Sequence, residues 1–288
     1  MNNAIALGTF DGLHLGHRKV LGAALSLARR HGLQPMALLF SEHPQAVITG
    51  QAPARLLQND TRNRMLRELG FHLREIDFAS IRSVGAEVFF KDILRAELHA
   101  GAIAAGYDYR FGADAFGDAA LLATLCENEA IPYTIVPKIT YQNEAISASR
   151  IRAAIQNGDM QSASAMLGEA FSYAFPVVEG DRIGRTLGAP TINQLFPHGY
   201  IVPRFGVYAA AALVDGAWHA AVTNIGRRPS FANDELRSET HILGYTGDLY
   251  GQSIPVRLLR FLRPERAFAS MGDLAEQIAL DKSQVREM

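Results

Sequence analysis

Along its first half the chain alternates short apolar runs with segments whose apolar positions recur at helical spacing. Ala4–Leu7 reads as a buried strand, and after it Val20, Leu21, Ala24, Leu25 and Ala28 share one face of a helix over His17–His31 that stops at Gly32. Met36–Phe40 then reads as a second buried strand, which makes a βαβ unit. The same alternation predicts a helix at Asp60–Leu69 ended by Gly70, a strand at Arg74–Phe78, a helix at Ala86–Leu98 and a strand at Ala102–Gly106. A helix over Ala119–Glu129 and a strand at Tyr133–Val136 follow. That order predicts a doubly wound α/β domain: a parallel sheet with helices on both faces and ligands at the carboxyl ends of its strands.

Two helical segments, Ser149–Asn157 and Met160–Leu167, are separated by Gly158-Asp159, and beyond them the pattern changes to period-two alternation broken by turns. Val207–Val214 and Ala217–Val222 flank Asp215-Gly216, a strong hairpin signal. Thr240–Tyr245 and Ser253–Phe261 flank a second turn at Gly247-Asp248. So many antiparallel strands in so short a stretch predict a small closed barrel, since closure removes exposed edges. Ser270 and Asp273, at capping-box spacing, open a last helix. The expected division is residues 1–165 for the first domain and 166–288 for the second.

Composition narrows the class. At 288 residues two domains are expected, each with its own core. The single cysteine excludes an intramolecular disulfide, and with no run of about 18 apolar residues the expectation is a cytoplasmic protein without a membrane span. Charge is balanced, 28 Lys+Arg against 29 Asp+Glu, so nothing points to nucleic acid as a partner.

Chemistry concentrates in "GTFDGLHLGH", Gly8–His17, between the first strand and the first helix. With the helix starting at Leu15 or Gly16, His17 lies in its first turn and His14 just outside, beside backbone N–H groups that lack helical partners. Such a helix start is an anion site. Two imidazoles added there can hydrogen-bond phosphate oxygens and stabilise charge that grows during displacement at phosphorus. Gly8, Gly12 and Gly16 allow the backbone close to a triphosphate. Taken alone, two histidines at this spacing also fit a solvated glycine-rich turn, and they make a poor zinc site without a third ligand.

The string resembles the H-x-G-H signature of nucleotidyltransferases, and no K-M-S-K-S loop accompanies it. "GYDYRFGADAFGD" (Gly106–Asp118) and "ISASRIRAAIQNGDMQSASAMLG" (Ile146–Gly168) resemble blocks of the bacterial bifunctional riboflavin kinase/FMN adenylyltransferases, the prokaryotic FAD synthetases. "GDRIGRTLGAPTIN" (Gly180–Asn193) resembles the riboflavin kinase motif. "PRFGVYA", "NIGRRPSF", "SETHILGYTGDLYG" and "LRPERAF" follow in the family's order, so the resemblance spans nearly the whole chain. Three positions depart from it: Ala148 stands where the family has a serine, Gly244 where it commonly has an aspartate, and "FSEHP" replaces F-x-P-H-P.

The resemblance implies two ATP-dependent steps, riboflavin to FMN and FMN to FAD with release of pyrophosphate, with ATP, riboflavin and FMN as small-molecule partners. In the first domain it implies His14 and His17 as catalytic. Gly8, Thr9, Phe10, Gly12, Gly16, Asp108 and Arg110 would be nucleotide or flavin contacts, and Ser147, Ser149, Arg150 and Arg152 a phosphate-facing helix start. In the second it implies Glu239 as the base that accepts the proton of the ribityl hydroxyl. Thr191 and Asn193, two apart on an extended segment, offer hard oxygens suited to Mg²⁺. Gly184, Arg185 and Gly188 would form the loop over the phosphates, since no Walker-type G-x-x-x-x-G-K-[ST] is present. A chain with only the kinase half active, and a non-catalytic flavin- or nucleotide-binding protein, are the alternatives at this stage; oligomeric state stays open.

Overall fold

The computed structural model describes residues 2–180, 189–229 and 234–286. The chain divides into two compact bodies, Met1–Ala148 and Ser149–Met288.

In the first body, β1 (Asn3–Leu7), α1 (Leu15–His31), β2 (Gln34–Phe40), α2 (Pro44–Thr49), α3 (Asn59–Glu68) and β3 (His72–Ile76) come in order. They are followed by α4 (Phe78–Ile81), α5 (Ala86–Val88) running into a π-helical stretch Phe89–Glu97, and β4 (Ala100–Gly106). Then come α6 (Ala119–Asn128), β5 (Tyr133–Val136) and the two-stranded ribbon of β6 (Thr140–Tyr141) and β7 (Glu144–Ala145). The five long strands form one sheet in the order β3-β2-β1-β4-β5, and all its pairings are parallel. The central strand β1 is buried throughout, because its alternate residues serve two cores. Ala4 and Ala6 meet Val20, Leu21 and Ala24 of α1 on one face. Ile5 and Leu7 meet Phe89, Phe90 and Leu94 on the other. Small residues on the first face let α1 lie close to the sheet.

The third strand begins and ends earlier than its apolar pattern predicts, at Ile76 instead of Phe78. Asp77 accepts a hydrogen bond from the Ala79 backbone N–H at 3.0 Å and so caps α4, drawing Phe78 into a helix.

The second body carries α7 (Ala148–Asn157) nearly whole and α8 (Met160–Leu167), then β8 (Ser172–Val178), β9 (Ile192–Leu195), β10 (Gly206–Val214), β11 (Ala217–Pro229), β12 (Asp234–Ile242), β13 (Ser253–Arg263) and α9 (Met271–Arg286). The strands close into a barrel in the order β10-β11-β12-β9-β8-β13. The β10–β11 hairpin forms as expected, with Asp215 and Gly216 both at positive φ. The strands either side of the Gly247-Asp248 turn do not pair with each other: β12 joins β11 and β9, while β13 inserts between β10 and β8. Closure decides this, because β13 satisfies two otherwise open edges. β12 also stops at Ile242, where the chain turns through Gly244 at φ 71°.

Ser270 and Asp273 form the expected capping box, each accepting from the other's backbone N–H at 3.1 and 3.2 Å. On α9 the buried Asp281 holds Arg263 of β13 through Nε at 3.1 Å and a terminal nitrogen at 2.8 Å, which fixes the end of the last strand.

Candidate active sites

The sheet order reverses at β1, with β2 and β3 on one side and β4 and β5 on the other, so the carboxyl ends of β1 and β4 frame a crevice. A cavity of about 770 Å³ opens there. Leu7 at the end of β1 with Gly8 and Thr9 after it, Phe40 at the end of β2, Gly106 at the end of β4 with Tyr107 and Asp108 after it, and Val136 at the end of β5 all line it, as do His14, Gly16 and His17 around the start of α1.

The two histidines are built into the helix start. His14 is the N-cap of α1, and its Nδ1 accepts the backbone N–H of His17 at 3.3 Å, which leaves the ring proton on Nε2. The imidazoles stack with centroids 3.7 Å apart and planes 17° from parallel. Burial pulls the His17 pKa well below its ordinary value. Nearby His14 lowers it further, and the Asp11 backbone acts weakly in the opposite direction. His17 is therefore neutral at physiological pH.

Phe10 is fully buried with its ring edge-on to His17, centroids 5.4 Å apart, so it lies behind the histidine and off the cavity wall. Gly12 is also behind the wall. At φ 77°, a Cβ there would lie 2.9 Å from the Leu56 side chain. The Leu56 backbone in turn donates to Asp11 Oδ1 at 3.1 Å, which ties the histidine loop to the segment before α3.

Asp108, Arg110 and Ser147 all line the cavity. Ala148, the departure from the family serine, lines it too. Ser149, Arg150 and Arg152 follow in the first turns of α7, within the second body. The rest of the wall was not singled out from sequence: Phe78, Tyr109 and Phe111 with Phe40 give it an aromatic flank, and Arg82 adds a cation. Phe40 and Phe78 meet edge to face at 5.4 Å, and Tyr109 stacks on Phe111 at 5.8 Å. Burial raises the Tyr109 phenol, which stays protonated. Isolated aromatics at the end of β2, the start of α4 and in the segment after β4 look like core residues in a sequence, and only the fold brings them to one rim.

In the second body Asn193 and Glu239 lie on adjacent strands of the barrel. Thr223 and Thr240 are paired across β11 and β12, wholly buried, with hydroxyls 2.9 Å apart, so they face inward. The next pair, Asn224 and Glu239, therefore faces outward. Glu239 is also directly opposite Asn193 of β9. The three form a row across adjacent strands: Asn193, Glu239, Asn224. A Cβ at Gly180 would lie 2.4 Å from Asn193 Nδ2, so the backbone of that segment rests on the asparagine. Asn193 Oδ1 is buried with no hydrogen-bond partner among the described residues. Thr191, two residues earlier, lines a second cavity of about 410 Å³ with Thr240 and the Tyr245–Tyr250 turn. Asn193 and Glu239 do not line that cavity. His241, on the same face as Glu239, hydrogen-bonds the Pro190 carbonyl at 2.8 Å and so pins the Thr191 segment. Gly184, Arg185 and Gly188 lie outside the described residues. Among the described residues no three His, Cys, Asp or Glu side chains cluster to hold a metal ion.

The FAD synthetase family model matches residues 1–150 and the riboflavin kinase model matches residues 167–288. A bifunctional riboflavin kinase/FMN adenylyltransferase of Listeria monocytogenes is 32% identical over 99% of this chain and 92% of its own. That of Escherichia coli K12 is 34% identical over 98% and 91%. The crystal structure of a macrolide-efflux protein from Streptococcus pneumoniae superposes with a TM-score of 0.90 at 30% identity, spanning 100% of this chain and 94% of that one. Its name describes transport, yet no helix among the described residues here is long and apolar enough to cross a membrane. The architecture carries over from that structure. Both family models, in order along one chain, and relatives 32% and 34% identical over nearly its whole length place the protein among the bifunctional riboflavin kinase/FMN adenylyltransferases, which make FMN from riboflavin and FAD from FMN.

Proposed function

We propose that the cavity at the sheet's reversal is where AMP is joined to FMN, and that the outer row of β9, β12 and β11 is where riboflavin is phosphorylated. The observation that carries the first assignment is the stacked histidine pair at the start of α1, on the cavity wall. The FMN phosphate is already an anion, so the first site needs alignment and relief of charge, with no base. His14 through Nε2, neutral His17 and the free N–H groups of α1 donate to the ATP phosphates as charge builds on them. Gly8, Thr9 and Gly16 give the phosphates access. Asp108, Arg110 and the aromatic flank hold the base and flavin. Ser147 adds a donor for phosphate. Phe10 and Gly12 act from behind by holding the histidine loop.

The riboflavin hydroxyl is neutral and a weak nucleophile, so the second site needs a base, and Glu239 accepts its proton as the oxygen attacks the γ-phosphorus of ATP. The orphaned Asn193 oxygen suits a hard cation. Mg²⁺ held by Asn193, Thr191 and the ATP phosphates would supply charge neutralisation there. Gly184, Arg185 and Gly188 complete the phosphate loop in this reading, with the kinase domain taken as 166–288. The enzyme works in the cytoplasm, where ATP is available and the lone Cys126 stays reduced. Supplying FMN or riboflavin separately with Mg-ATP tests the division. Loss of FAD formation from FMN in His17→Ala, with riboflavin phosphorylation intact, supports it; loss of both from that change refutes it.

A further inference from the structure

We infer that Asn224 selects the substrate of the phosphorylation site by accepting a hydrogen bond from the hydroxyl next to the one phosphorylated. The inference rests on the reading of Glu239 as the base of that site.

Asn224 faces the same way as Glu239 and is directly opposite it on the neighbouring strand, a placement that brings Cβ atoms to about 5 Å. Its amide is not free to turn. Nδ2 donates to Glu265 Oε1 at 3.0 Å. Glu265 follows two residues after Arg263, which Asp281 anchors from α9 through two nitrogens. Gly226, two residues along β11 on the same face, has no side chain to displace that carboxylate: a Cβ there would lie 2.2 Å from Glu265 Oε1. An ionised carboxylate only accepts, so it fixes the amide nitrogen towards itself and turns the oxygen away.

That oxygen, Asn224 Oδ1, is buried and has no hydrogen-bond partner among the described residues. A buried carbonyl without a donor is unfavourable and calls for a partner. Glu239 cannot be that partner, because as a base it too is an acceptor. The Asn224 oxygen therefore calls for a donor from a ligand. A vicinal diol supplies two: its terminal hydroxyl gives a proton to Glu239, and the hydroxyl one carbon back donates to Asn224 Oδ1. A polyol chain therefore fits the pair better than a simple primary alcohol. On the other side of Glu239, the Asn193 oxygen remains for the cation. The row then reads cation, reacting hydroxyl, recognised hydroxyl.

The test compares riboflavin with a flavin whose side chain lacks only the hydroxyl next to the terminal one. Both are assayed with Mg-ATP and the full-length protein. The unchanged enzyme should prefer riboflavin at least about 100-fold in kcat/KM, because a site built to bond a hydroxyl rejects the analogue without it. Asn224→Ala should lose about that factor on riboflavin while its rate on the deoxy analogue stays within about threefold of the parent. Retained activity on the analogue also shows that the barrel is folded. Asn224→Asp loses the N–H that Glu265 holds and sets two carboxylates together, so it too should lose the preference. Equal losses on both substrates in both variants, or a raised Mg²⁺ requirement without a change in preference, would overturn the inference. Glu239→Gln in the same assay separates the two readings: if it leaves phosphorylation unchanged, the site itself is misplaced, whereas an inactive Glu239→Gln beside an indifferent Asn224→Ala removes only the role of Asn224.

Discussion

On the proposed assignment, the two bodies bring ATP to a flavin with opposite materials. The first relies on backbone: a parallel sheet whose order reverses at β1, a helix start, and two stacked rings locked by the N-cap bond of His14. The second relies on side chains set on the outer face of a closed barrel, in register across three strands. The acceptor explains the difference. An anionic phosphate needs its repulsion screened, which fixed dipoles do well, while a neutral alcohol needs its proton removed, which takes a carboxylate.

The contrast breaks most sharply at Glu239. Glu239→Gln should lower riboflavin phosphorylation by about 10²–10⁴-fold, the range of a general base, and leave FAD formation from supplied FMN at the parent rate. Removing one imidazole should cost the other half about 10²–10³-fold. In His17→Ala the loss should appear in turnover more than in KM, because the donors act as charge grows.

Arg263 and Asp281 form the buried ion pair that ties α9 to the barrel, with side chains 18% and 3% exposed. Leaving Arg263 unpaired in Asp281→Ala should destabilise the second body by about 3–5 kcal/mol, seen as an early transition in urea unfolding, with the FMN-dependent activity unaffected. Exposed pairs such as Arg64–Glu68 should contribute less than about 1 kcal/mol.

The smallest effect is on pH. His17 has its folded pKa depressed below the ordinary 6.5, chiefly by burial. Its neutral form is favoured by folding, so this contribution to stability is complete above 6.5 and lost as pH falls through the depressed value. FAD formation from FMN should therefore hold level as pH drops past 6.5 and decline only as it falls through the depressed His17 value. A pH–rate profile with its acid limb at the ordinary histidine value would contradict the buried, neutral ring.

Much of this was legible in the sequence where local chemistry and global fold agree. The helix over Leu15–His31 with its Gly32 cap, the Asp215-Gly216 hairpin and the Ser270–Asp273 capping box were all readable because a few adjacent residues determine each. Two kinds of feature were not. Strand partners depend on closure, so the β12–β13 neighbourhood suggested by chain order gave way to β9–β12 and β10–β13. Surfaces assembled from distant segments were equally hidden: the aromatic flank of the cavity draws on residues 40, 78, 109 and 111. The Asn224–Glu265 bond links residues 41 apart, and nothing in "NIGRRPSF" marks the asparagine as different from any strand polar residue.

The most direct test of the division of labour is complementation. His17→Ala and Glu239→Gln proteins, each given riboflavin and Mg-ATP, should make almost no FAD alone, and a mixture of the two should restore FAD formation, with FMN passing from one protein to the other. FAD synthesis that stays absent in the mixture, or either variant failing in both half-reactions, would contradict the account.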